Sequence, residues 1–214
     1  MKEVKEDKIV AILKKVGAIV TNSHIVLVSG RHTHSYINPD KILPHTDVNF
    51  ELGKMFAQKL RNKNIDVVIG PAYGGIIFSQ WVAYHLSKLK KKEIPSIFTE
   101  KTPERHQIFE RGFEKLVKGK KILIVEDVTA TGSSVKKVMK AVVTAGGEVE
   151  EVSVIVNRDP ELVNSQTIGA PFSSLVQFKI ESYEAKKCPL CKKKVPINIH
   201  IGHGRRFLEE KKGL

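Results

Sequence analysis

The sequence predicts an α/β fold: a mainly parallel central sheet with helices on both faces. Two observations carry this. From residue 47 to residue 157, strand-length apolar runs alternate with longer amphipathic runs of helical period. The strand runs are also apolar throughout, as strands covered on both faces must be.

Residues 7–20 carry apolar side chains at helical spacing until Gly17 breaks the pattern. A short strand over residues 24–28 then turns at Ser29-Gly30. Residues 47–61 form an amphipathic helix whose buried stripe is Phe50, Leu52, Phe56, Ala57 and Leu60. Residues 65–70 read as a buried strand ending at Gly70-Pro71, residues 75–89 as a helix and 94–99 as a strand. Another strand covers 121–125, and the helix over 133–145 stops at Gly146-Gly147. Strands at 149–157 and 175–179 complete the pattern. The domain reading is an N-terminal helix and hood over 1–45, a core over 46–180 and a C-terminal tail over 181–214. In parallel sheets ligands collect at the carboxyl ends of the strands, so the loops after residues 70, 99, 125 and 157 are the places for a site.

Composition excludes several classes. No run of about 18 apolar residues exists, which rules out a membrane-spanning helix. The mixed acids and bases of residues 1–8 lack the apolar run of a signal peptide, so a cytoplasmic location is expected. Two cysteines cannot build a disulfide framework. The net charge of +13 suits solvated lysine surface or a polyanionic ligand, and much of it lies in residues 88–92, 115–121 and 186–194. With no helix-turn-helix and no basic strand interleaved with aromatics, nucleic acid is not expected as a partner.

The segment Ile124-Val-Glu-Asp-Val-Thr-Ala-Thr-Gly-Ser-Ser134 concentrates the chemistry. The small residues Thr129, Ala130, Thr131, Gly132, Ser133 and Ser134 let backbone N–H groups curl inward beside a helix N-terminus, which suits a phosphate monoester. No lysine follows Gly132, so this is not a nucleoside-triphosphate loop. Glu126 and Asp127 end the strand, where one acid can face a ligand while the other organises the site. Carboxylates beside a sugar's vicinal hydroxyls can hold ribose or its magnesium. Serine and threonine also cap helices, but a cap alone does not require the two acids.

This segment resembles the 5-phosphoribosyl-1-pyrophosphate (PRPP) motif of type I phosphoribosyltransferases. The resemblance implies that fold, with a small N-terminal hood and a C-terminal ribbon. It implies that Glu126 and Asp127 contact the ribose hydroxyls as catalytic residues, and that 129–134 bind the 5-phosphate.

Four further segments resemble the orotate phosphoribosyltransferases. Residues 29–38 look like an N-terminal Ser-Gly-x-x-Ser-x-x-Tyr signature, which implies a base-side role for Tyr36. Gly70-Pro-Ala-Tyr-Gly-Gly75 looks like the pyrophosphate loop, with Ala72, Tyr73, Gly74 and Gly75 at its turn and often a non-proline cis bond. Lys101, Arg105, His106 and Arg111 lie on a stretch resembling the mobile lid, where Lys101 and His106 are implied in catalysis. Arg158 stands where the family grips the orotate carboxylate, an apt pairing for guanidinium; a surface salt bridge with Asp159 or Glu161 is its plainer reading. The resemblance implies transfer of the phosphoribosyl group from PRPP to orotate with magnesium, giving orotidine 5′-monophosphate in pyrimidine biosynthesis, by a homodimer whose lid reaches the neighbouring site.

Three positions depart from the pattern: Val28 and Gly74 replace lysines often present, and Ala130 stands where purine enzymes usually carry an acid and many orotate enzymes a threonine. A purine enzyme of xanthine or adenine type, or a PRPP-sensing regulator that binds nucleic acid, are the competing readings. In the tail, Cys188, Cys191, His200 and His203 form C-x2-C-x8-H-x2-H, which could ligate a structural zinc or could be reduced thiols packed in a tail.

Overall fold

The computed structural model describes residues 6–212; residues 1–5 and 213–214, including part of the N-terminal stretch read above, lie outside the described residues. In chain order the elements are α1 (Glu6–Lys15), β1 (Ile19–Val20), β2 (Ile25–Val26), β3 (His32–Thr33), β4 (Tyr36–Ile37), α2 (Thr46–Lys59), β5 (Val67–Pro71), α3 (Gly74–Lys90), β6 (Ser96–Lys101) and β7 (Gln107–Ile108). They continue with β8 (Lys121–Thr129), α4 (Ser133–Thr144), β9 (Glu148–Asn157), α5 (Ser165–Ile168), β10 (Phe172–Gln177), α6 (Pro189–Lys192) and α7 (Gly204–Lys212).

The chain divides into two compact units. The first holds α1 and residues 39–178; the second holds residues 17–38 together with the chain from Lys179 onward. The hood and the ribbon, read above as separate segments, are therefore one unit, while α1 belongs with the core.

The first unit is a six-stranded sheet in the order β10-β9-β8-β5-β6-β7. Its first five strands are parallel, and β7 closes the edge antiparallel to β6. Period-2 alternation sorts the strand residues between two faces. Val67, Ile69, Ile122, Ile124 and Val152 pack with Val135, Val138 and Val142 of α4. Their alternates Val68, Leu123 and Val125 are just as buried on the other face, where α3 packs on β5, β8 and β6. Phe78, Val82 and Leu86 supply the buried stripe of α3. The crossovers β5-α3-β6 and β8-α4-β9 run in opposite directions from the pair β5–β8, and because parallel crossovers take one hand this places α3 and α4 on opposite faces.

Two elements differ from the sequence reading. The strand predicted over 121–125 runs on to Thr129, because β9 offers a partner as far as Thr129↔Asn157. The two acids are thus strand residues rather than the start of a loop. The stretch read as a lid loop is folded as a hairpin, with Glu100↔Ile108 and Lys101↔Gln107 in register.

The second unit contains two short antiparallel pairs, β1 with β4 and β2 with β3. Gly17, at φ +70, breaks the helical path where the sequence pattern placed the break, and Ile19–Val20 beyond it pair as strand. The β2–β3 hairpin is laced to the tail by a parallel bridge His24↔Ile197 and an antiparallel bridge His32↔Tyr183.

Candidate active site

The sheet's strand order reverses between β5 and β8, and the carboxyl ends of these two strands define the switch point where ligands bind in open α/β sheets. Three backbone segments arrive there: the turn after β5, the end of β8, and the loop after β9.

The turn after β5 is folded backbone against backbone. A Cβ on Gly70 would lie 1.9 Å from the Gly75 carbonyl oxygen, and one on Gly75 would lie 2.5 Å from Pro71 Cδ, so neither position admits a side chain. The Ala72–Tyr73 peptide is cis, as the resemblance implied. Ala72 N–H donates to the Thr99 carbonyl at 3.0 Å and so pins the turn to β6. Tyr73 is 85% exposed, and Gly74 opens α3.

The end of β8 splits its two acids between the faces of the sheet, as period-2 alternation requires. Glu126 is buried on the α4 face, where the Asp127 N–H donates to its Oε1 at 3.2 Å and Ser134 adds a hydrogen bond. Asp127 turns to the α3 face, with Oδ2 against the bare Cα of Gly74: a Cβ there would sit 2.1 Å away. Gly74, a departure from the family pattern, is therefore the vacancy that admits Asp127.

Burial pushes the Glu126 carboxyl well above the usual range, and the neighbouring Asp127 charge adds to it. Burial also raises Asp127 to about 6; the Val128 N–H works against this and the Asp40 carboxylate with it. The sign for stability follows. Between the ordinary carboxylate range and about pH 6 the folded state holds a proton that the unfolded chain has released. Stability from this group falls as pH rises through that window. Asp127→Asn removes the penalty, so its Tm should exceed that of the unmodified chain by a few degrees at about pH 8 and match it at about pH 4. Thermal denaturation at both pH values checks this; an equal shift at both would contradict it.

The loop from Thr129 to Ser134 closes on itself. Gly132 N–H donates to Thr129 Oγ1 at 3.0 Å, and Ser133 N–H to Thr131 Oγ1 at 3.4 Å. Gly132 takes φ +71 as the N-cap of α4 and makes no side-chain cap bond. That start leaves the positive end of the helix facing the loop, with Thr131, Ser133 and Ser134 exposed around it and Ala130 half-buried.

Arg158 follows β9, and its N–H donates to the Thr129 carbonyl at 2.9 Å, so it stands at the same sheet edge as the phosphate loop. The Asp159 carboxylate accepts from Leu162 N–H at 3.0 Å. On the β6–β7 hairpin, Lys101, Arg105 and His106 are exposed. Arg105 takes φ +63 in the turn, and Lys137 of α4 donates to its carbonyl at 2.7 Å. Arg111 is engaged differently from the other lid bases: its Nε donates to Glu100 at 3.0 Å, and its guanidinium lies 5.9 Å from the Phe98 ring centroid.

In the second unit, Tyr36 is half-buried on β4 opposite Val20. Val28 is 79% exposed in the β2–β3 turn. The metal-ligand reading of the tail needs correction. Cys188 and Cys191 gather with His24 and His32, their ligand atoms all within 4.8 Å of one another. His200 and His203 are exposed and outside this group. The chain beyond Cys191 bridges in parallel to His24 instead of doubling back onto the cysteines, so its histidines stay at the surface. His24 and His32, one on either side of the turn at Ser29-Gly30, were the available signal.

Residues 39–167 match the model of the phosphoribosyl transferase domain family. The orotate phosphoribosyltransferase of Caldanaerobacter subterraneus is 36% identical over 193 residues, covering 90% of this chain and 95% of that protein. That of Pelotomaculum thermopropionicum is 37% identical over 190 residues, covering 89% and 94%. Among solved structures, the orotate phosphoribosyltransferase of Mycobacterium tuberculosis in complex with PRPP has a TM-score of 0.61 at 20% identity, over 80% of this chain and 95% of that one. The Aeropyrum pernix enzyme has a TM-score of 0.60 at 24% identity, over 79% and 93%. These structures share the fold, and the sequence relatives carry the assignment further: the chain belongs to the phosphoribosyltransferase family, among the orotate phosphoribosyltransferases.

Proposed function

We propose that the chain transfers the 5-phosphoribosyl group of PRPP to orotate, giving orotidine 5′-monophosphate and pyrophosphate in pyrimidine nucleotide synthesis. One observation carries the phosphoribosyl half: the glycine turn, the acid pair and the phosphate loop meet at the switch point of the sheet. In the reaction the ribose C1–O bond to pyrophosphate breaks as a ring nitrogen of orotate forms the new C1–N bond, through a cation-like sugar, and the proton of that nitrogen is released to the departing pyrophosphate or to water. The protein's part is alignment and charge.

Residues 129–134 hold the 5-phosphate through backbone N–H groups and hydroxyls. Asp127 and Glu126 accept from the ribose hydroxyls, and the turn at 72–75 lines the pyrophosphate side. Asp127, the acid on the α3 face beside the turn at 72–75, also fits magnesium, because a hard divalent cation would ease a carboxylate burdened by burial. When bound with PRPP, magnesium supplies neutralisation of the pyrophosphate oxygens. Lys101, Arg105 and His106, exposed on the hairpin tip, bring positive charge to the departing pyrophosphate; Arg111, tied to Glu100, shapes the hairpin. We place this hairpin over the site of a neighbouring copy in a homodimer, as the family resemblance implies.

Arg158 pairs with the orotate carboxylate. Arg158→Ala should weaken orotate binding by about 10- to 100-fold, in keeping with loss of a charge-assisted pair, while PRPP binding changes less than about 3-fold. Equilibrium titration with each ligand tests this. Unchanged orotate affinity would remove Arg158 from the base site.

A further inference from the structure

We infer that His24, His32, Cys188 and Cys191 bind a structural zinc ion, and that this ion joins the β2–β3 hairpin to the C-terminal tail. The inference stands on the second unit alone and does not depend on the reaction proposed above.

The ligand geometry is close to that of a tetrahedral site. Cys188 Sγ and Cys191 Sγ each lie 3.7 Å from His24 Nε2, and Cys191 Sγ lies 3.4 Å from His32 Nδ1. Tetrahedral zinc with ordinary bonds to sulfur and nitrogen sets sulfur–nitrogen edges at about 3.6 Å. The two imidazole nitrogens are 2.8 Å apart, somewhat inside the edge of about 3.3 Å for such a site. A single hydrogen bond between the rings would account for that pair, but not for the sulfurs. His24 Nδ1 donates to the Val195 carbonyl at 2.7 Å, which leaves Nε2 with one lone pair and three polar atoms around it. One lone pair cannot serve three neighbours, whereas a cation at their centre is bound by all four groups. The Val195 carbonyl is then the outer partner that fixes the ring's tautomer, as metal-bound histidines usually have.

The surroundings also fit. His24, His32 and Cys188 are buried, and His32 meets the Phe207 ring edge-on at 4.9 Å. Pro189 starts a one-turn helix with Cys188 at its N-cap and Cys191 within it, and no disulfide joins them. The donor set of two thiolates and two imidazoles selects zinc among the common divalent ions. Each ligand's backbone is separately held: His24 C=O accepts from Asn198 N–H at 2.7 Å, His32 and Tyr183 exchange two bonds at 2.7 Å, Cys188 C=O accepts from Lys192 N–H at 3.2 Å, and Cys191 C=O from Lys194 N–H at 3.0 Å. The set is thus assembled from both ends of the chain, and zinc here closes a loop of more than 150 residues, as the His24–Cys188 separation of 164 shows.

Elemental analysis of the full chain, purified without chelator, should give about one zinc per chain. Cys188→Ser and His24→Ala should lower it to background, while the double variant His200→Ala/His203→Ala keeps it. Should the single variants fail to fold, cobalt(II) titration of the chelator-treated chain decides. The expected spectrum has the visible bands of a four-coordinate ion and a thiolate charge-transfer band. Hydrogen exchange should then rise together at residues 24–33 and 183–198 when zinc is withdrawn. Background zinc in the unmodified chain with no four-coordinate cobalt spectrum would overturn the inference, as would zinc content lost in the His200→Ala/His203→Ala variant instead.

Discussion

Asp127→Asn should lower kcat/KM for PRPP by about two to three orders of magnitude, the range for removing a preorganised electrostatic group from a reacting centre. The substitution keeps the shape of the side chain, so the space left by Gly74 stays filled and the fold is retained. What it removes is the negative charge at the carboxyl end of β8, beside the turn that lines the pyrophosphate side. The loss should appear in kcat and kcat/KM together, because the ribose gathers positive charge only on the way to the transition state. The same variant gains stability above about pH 6, since burying that charge costs the unmodified chain free energy. A group that the fold would be more stable without fits the part proposed for Asp127 in the reaction. Steady-state kinetics at varied PRPP, beside the melting curves, measures both halves; a variant with nearly full activity would remove Asp127 from the reaction.

Gly74→Ala should cost about 100-fold in kcat/KM, the scale of a misplacement near 1 Å in a catalytic group. The added Cβ would fall 2.1 Å from Asp127 Oδ2 and 3.1 Å from Cγ, and the opposing group is the carboxylate itself. Either Asp127 turns away or the start of α3 moves. Gly74→Lys, which restores the residue often present at this position in the family, should fail for the same reason. The double variant Gly74→Ala/Asp127→Asn should lose little more than Asp127→Asn alone, because both act on one carboxylate. Additive losses would mean that Gly74 matters for the pyrophosphate turn and not for Asp127.

The chemistry-bearing residues were legible where a local pattern sufficed. The apolar runs that became β5, β8 and β9, and the acids followed by small residues, mark the core and the phosphate loop without any knowledge of tertiary contacts. Strand ends were less legible: β8 continues through Glu126 and Asp127 only because β9 pairs with it to Thr129, a partner invisible to a local window. Gly74 read as a missing lysine, since a vacancy has no sequence signal until its occupant, Asp127, is known. The metal cluster shows the same limit. Cys188-x-x-Cys191 is a local signature, but its partners lie 164 and 159 residues away, and nearer histidines in the tail drew the assignment. Residues joined by topology rather than by spacing are the ones that sequence patterns miss.

The central claim is the reaction, and a steady-state assay tests it most directly. The chain is incubated with PRPP, magnesium and either orotate or a purine base, and both nucleotide and pyrophosphate are quantified. The account predicts orotidine 5′-monophosphate and pyrophosphate in equal amounts, dependent on all three components, with purine nucleotide at background. Turnover with a purine and none with orotate, or PRPP binding without turnover of any base, would contradict it.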